Sequence, residues 1–186
     1  MRKNFGSKSW FYPLPVLILG TYNPDGTPDA MNAAWGGVAG GDKIFLCLSS
    51  NHKTVENILE RKAFTVSVAD EAHLVEADYV GLVSGNDVPD KLERSGFHVT
   101  RSEFVDAPVI DELPLVLECR LVSYDPNTHF MVGEIVNAGA DEAILDDAGM
   151  IDPAKLKPLT FDPVNRTYWS LGKKVGNAFS DGSKLK

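Results

Sequence analysis

Three apolar stretches within the first fifty residues, each cut off by turn-forming residues, limit what this chain can fold into. Pro13 and Pro15 lead into a strand over 16–22, and Asn23, Pro24, Asp25 and Gly26 carry the residue types a tight turn demands. A returning strand over 27–35 follows. Gly36, Gly37, Gly40, Gly41 and Asp42 then break the pattern before a third apolar strand over 44–48. Strand, turn, strand, loop and strand in so short a span open an antiparallel sheet or barrel, because parallel neighbours need a crossover of a dozen residues or more.

Further along, a helix over 54–61 runs into a half-buried strand over 63–68. Helical character returns over 71–81, and a short helix over 90–95 ends at Gly96. Strands are expected over 97–100, 115–124 and 129–138, the last two joined as a hairpin through Asp125, Pro126, Asn127 and Thr128. The total is about six or seven strands with a few short helices. The fold class is mainly β, a barrel with short helices in a Greek-key arrangement. A chain of 186 residues suits one domain over 1–186, with a C-terminal extension over 141–186 that has the option of packing on a partner subunit.

A net charge of −8 excludes the clustered positive field that nucleic acid and anionic lipid require. The apolar stretch over 14–19 is interrupted by Pro15 and is too short to span a bilayer, so the expected setting is cytoplasmic, with no membrane partner. Cys47 and Cys119 sit in apolar runs where a free thiol behaves as a small hydrophobe, although a disulfide between them stays open. His52, His73, His98 and His129 have no metal-ligand spacing with these cysteines, and no metal site is expected. No serine occupies a Gly-x-Ser-x-Gly elbow, which removes a serine hydrolase of that type.

One segment points to a ligand. Ser49, Ser50, Asn51, His52, Lys53 and Thr54 stand where a strand hands over to a helix. The first turn of a helix has free N–H groups and the positive end of its dipole, so hydroxyls and a cation placed there make an anion seat. A phosphate is the natural occupant. The spacing is not that of a Gly-rich nucleotide loop, and the same residues also fit a plain helix cap with a solvated lysine.

Several segments, in order, resemble the flavin reductase-like family with an FMN-binding split β-barrel, most closely its flavoredoxin-type members. They are Asn32, Ala33, Ala34 and Trp35 after the opening hairpin; the segment from Ser49 to Thr54 with Asn57 and Ile58; Ser84 and Gly85 followed by Asp90, Lys91 and Leu92; Pro114 to Cys119; and His129 to Val136 with its His and Gly-Glu-Ile run. Leu92 stands where the family usually carries Phe. The similarity spans residues 12–137, with Tyr168 to Gly172 as a terminal match. Each motif is short; their collinear order makes the combination specific.

The resemblance implies FMN as cofactor. Ser49, Ser50, His52, Lys53 and Thr54 would serve its phosphate, Asn32, Ala33, Ala34 and Trp35 its ring, and Ser84 and Lys91 its surroundings. His129 would lie near the reacting side, as a catalytic candidate. It further implies a homodimer that works as a flavin reductase with NAD(P)H as co-substrate, or as a flavoredoxin-like electron carrier with a redox protein partner. The alternative is a non-catalytic flavin-binding or storage module.

Overall fold

The computed structural model describes residues 1–186. The strands, in chain order, are β1 (Leu14–Pro15), β2 (Leu17–Tyr22), β3 (Pro28–Ala33), β4 (Gly36–Val38), β5 (Lys43–Cys47), β6 (Ala63–Val68), β7 (Val99–Arg101), β8 (Pro108–Ile110), β9 (Leu115–Asp125), β10 (Phe130–Ala140), β11 (Leu159–Asp162) and β12 (Thr167–Ser170). The α-helices are α1 (Lys53–Arg61), α2 (Leu74–Leu82), α3 (Lys91–Ser95) and α4 (Pro153–Leu156). No helix is long and apolar enough to cross a membrane.

Seven strands form one antiparallel sheet in the order β3-β2-β6-β9-β10-β5-β4. Its two edge strands, β3 and β4, are consecutive in the chain and separated only by Ala34 and Trp35. The three Cα–Cα steps from Ala33 to Gly36 span at most about 11 Å, so the sheet has to curl until its edges nearly meet. The result is a barrel with a seam at Ala34 and Trp35. β4 corrects the expectation that the glycines after Trp35 only break the pattern: Gly36 and Gly37 lie in register with Leu46 and Phe45 of β5.

Alternation through Val16 and the first half of β2 explains why the run 16–19 is apolar throughout. Leu17 and Leu19 join the barrel interior with Met31, Ile44, Leu46, Phe64 and Met131, while Val16 and Ile18 face a second core made with Ala77, Val80, Leu92 and Ile110. A strand buried on both faces reads as a continuous apolar run. Helix α1 plugs the interior through Val55 and Ile58, both fully buried, and each such side chain contributes about 1.5–3 kcal/mol. Helices α2 and α3 cover the other face.

The C-terminal strands were not legible in the sequence. β11 pairs with β1 and β12, and Leu159 is buried against Ala69 of the second core. Asp162 holds their turn by accepting from the Val164 amide at 2.8 Å and from Asn165 Nδ2 at 2.7 Å. Residues 169–186 are exposed. Cys47 and Cys119 are both free thiols.

Candidate functional site

A cleft of about 780 Å³ opens beside the barrel seam, within the range that suits a small-molecule cofactor. The structure brings together on it nine of the residues singled out above: Asn32, Ala33, Ala34, Trp35, His52, Lys53, Thr54, Ser84 and Lys91. Ser49, Ser50 and His129 are not among the lining residues. His129 instead closes the β9–β10 hairpin with a positive φ of 63°, accepts from the Leu48 amide at 2.8 Å through its carbonyl, and keeps Nδ1 buried without a partner.

At one end of the cleft stands the start of α1. His52 is the N-cap by position, with extended backbone, yet no side chain caps this helix. The Lys53 and Thr54 amides therefore have no hydrogen-bond partner in the chain. Lys53 Nζ lies 3.2 Å from Glu56 and is largely shielded from solvent. The Thr54 hydroxyl differs from expectation as a donor. It gives its one proton to Asp29 Oδ2 at 2.7 Å in a fully buried bond, so what Thr54 offers an anion is its main-chain N–H. Ser84 is the converse case: its oxygen accepts from the Asn86 amide at 3.2 Å, leaving its own O–H free to donate.

Asp29 lies beneath this end, and sequence reasoning missed it. Only 2% exposed, it faces Thr54, Lys91 at 3.5 Å, and Gly85, where a side-chain carbon would come within 2.6 Å of its Oδ1. Lys91 is itself 3% exposed and donates to the Val80 and Val83 carbonyls, each at 3.2 Å. Its ammonium thus closes the C-terminal end of α2, where helix carbonyls lack partners. Burial pulls the Lys91 pKa down, and the Asp29 carboxylate opposes that. His52 is also shifted down, by desolvation first and then by the Lys91 charge.

The other end is built on the seam. Ala34 leaves both its N–H and its C=O without a hydrogen bond, and the Trp35 N–H is likewise free, while the Trp35 carbonyl accepts from Cys47 at 2.7 Å. Small side chains at Ala33 and Ala34 let a ligand approach this backbone. Helix α2 packs tightly on β3: Asn32 Nδ2 donates to Ala77 O at 2.9 Å, and a side chain at Gly81 would meet Asn32 Cβ at 2.8 Å. Asp78 of α2 and Phe161 and Tyr168 of the C-terminal strands complete the wall. Asp78 and Phe161 gave no sequence signal, because they reach the cleft only through tertiary packing.

The chain matches the flavin reductase like domain family over residues 9–167. Among solved structures it is similar to the flavoredoxin of Desulfovibrio vulgaris (Miyazaki F), at 36% identity and a TM-score of 0.94, covering 98% of this chain and all of that one. A flavoredoxin from Methanosarcina acetivorans is 32% identical, with a TM-score of 0.90 and full coverage of both chains. An FMN-binding domain of a flavin reductase-like enzyme from Shewanella baltica OS155, 22% identical over 88% of each chain with a TM-score of 0.76, shares the fold. The curled sheet is thus the split barrel expected from the sequence. With the match running through the whole barrel and ending at Thr167, the first residue of β12, the chain belongs to the flavin reductase-like family.

Proposed function

We propose that this chain binds FMN in the cleft and acts, as a homodimer, in electron transfer, either as a flavin reductase or as a flavoredoxin-like carrier. The observation that carries the reading is a single cleft with unpaired main-chain groups at both ends. The Lys53 and Thr54 amides suit a phosphate at one end, and the Ala34 and Trp35 groups suit a planar heterocycle with alternating donors and acceptors at the other. A generic apolar pocket would need neither set.

When bound, FMN would supply the hydride or single-electron chemistry that no side chain can. The residues have other tasks. The amides of Lys53 and Thr54, the Lys53 ammonium and the Ser84 hydroxyl hold the phosphate, and His52 adds a ring N–H donor. The Ala34 N–H and C=O and the Trp35 N–H match the pyrimidine edge of the ring. Lys91 and Asp29 keep α2, α3 and α1 in place beneath the phosphate end. Exposed Trp10, Phe11, Tyr12, Trp169 and Leu171 support self-association, since apolar groups left on a surface favour a partner. Reduced nicotinamide or a redox protein would deliver the electrons, in a cytoplasmic setting that the two free thiols support.

Purified chain mixed with FMN should retain flavin absorbance after gel filtration, and should bind riboflavin, which lacks the phosphate, at least about tenfold more weakly. Protein that takes up neither flavin would overturn the reading. Oxidation of NAD(P)H in the presence of excess flavin selects the reductase over the carrier and over a storage module.

A further inference from the structure

Tyr168 Oη donates to Asp78 Oδ1 at 2.6 Å, across 90 positions of sequence. Both residues line the cleft, as Ala34 and Trp35 do, and they belong to the wall where α2 packs on Asn32 of β3, two positions before Ala34. The neighbouring cations are otherwise engaged: Lys91 faces Asp29 and Lys53 faces Glu56, and Asp78 belongs to no ion pair in the chain. Burial and the Asp78 carboxylate both push the Tyr168 pKa up, which keeps its proton on the shared hydrogen bond. The ring end of the cleft therefore contains a carboxylate held in place by one phenol and neutralised by no cation.

We propose that Asp78, oriented by Tyr168, is a charge-positioning residue that makes the cleft favour oxidised over reduced FMN and so lowers the reduction potential of the bound flavin. This rests on the FMN reading above. A two-electron donor such as reduced nicotinamide adds two electrons and one proton to the neutral oxidised ring, leaving it with one additional negative charge. A fixed carboxylate facing that ring repels the reduced form and is nearly indifferent to the oxidised one. Asp78 is half-buried, and beside the low-dielectric wall of the cleft such a repulsion is screened less than in bulk water.

The test is anaerobic measurement of Kd for oxidised FMN and for dithionite-reduced FMN in the full chain. Asp78→Asn should bind reduced FMN about tenfold better, relative to oxidised FMN, than the wild type, which for a two-electron couple is an upward move of about 30 mV. Asp78→Ser, a second way to remove the charge, should move the ratio in the same direction. Asp78→Glu should keep it near the wild-type value, and Tyr168→Phe, which leaves the charge in place, should move it less than Asp78→Asn. The FMN-to-riboflavin affinity ratio should stay unchanged in all four. Wild-type binding of FMN with an unmoved or lowered potential in the two charge-removing variants overturns this proposal alone, whereas a wild type that binds neither form overturns the FMN reading with it.

Discussion

The two ends of the cleft are built by different means. The α1 end draws its donors from adjacent residues, Lys53 and Thr54, whose free amides follow from a helix that begins without a side-chain cap. The seam end gathers Ala34, Asp78 and Tyr168, which are distant in sequence and meet because the sheet curls and the C-terminal strands fold back over α2. A contiguous donor set is robust: it forms whenever the helix forms. A dispersed one depends on every packing contact behind it, which makes it the part of the site a family can retune by single substitutions.

The sharpest break of that comparison is Lys53→Pro. Position 53 is the first of α1, where proline is tolerated, and His52 before it already has the extended backbone that proline requires, with φ −76° and ψ 134°. The variant deletes the ammonium and one amide together while preserving the helix. FMN affinity should drop about a hundredfold, or ~2.7 kcal/mol, with riboflavin affinity unchanged. An equal loss for both flavins, measured by fluorescence titration, would mean that the phosphate is not seated there.

Thr54→Val separates the hydroxyl from the amide at the same end. Removing the proton that Asp29 accepts should cost about 1–3 kcal/mol of stability in urea denaturation, because the buried carboxylate loses its hydrogen bond. The FMN-to-riboflavin ratio should hardly move. A selective loss of FMN affinity like that of Lys53→Pro would show instead that the hydroxyl is a phosphate donor.

The smallest effect concerns His52. Its folded pKa lies below the usual 6.5, so the unfolded chain takes up the proton first. Its contribution to stability is therefore intact above about pH 6.5 and is lost as the pH falls from there through the lower folded value. Thermal melts of the flavin-free chain should show a modest acid-side decline that His52→Gln reduces, and FMN should offset the decline because phosphate favours the protonated ring. A wild type and a variant with superimposable pH profiles would remove His52 from the site.

How much was legible follows the same division. Local chemistry announced β2, the turn at Asn23 to Gly26, α1, and the β9–β10 hairpin, because apolar alternation and turn residues act over a few positions. The lining by Asn32 to Trp35, His52 to Thr54, Ser84 and Lys91 was foreshadowed by motif order. Lys91 was legible as a candidate for the cleft but not as a buried cation closing α2, since nothing in its neighbours in sequence says that it lies 3.5 Å from Asp29. β4 was hidden by its glycines, and β11 and β12 by their short length and by the distant pairing of β11 with β1.

The sequence by itself determined an antiparallel β chain, its family, and a helix start with donors for an anion, because strand alternation, turns and caps are short-range physics. Only the tertiary structure decided that β3 and β4 end on opposite edges of one curled sheet, leaving the Ala34 N–H and C=O and the Trp35 N–H unpaired at the seam. It also decided that Thr54 spends its hydroxyl on Asp29, and that Tyr168 fixes Asp78 beside the seam. Those outcomes depend on which buried polar groups find partners once the barrel closes, a choice made by packing between segments far apart in the chain.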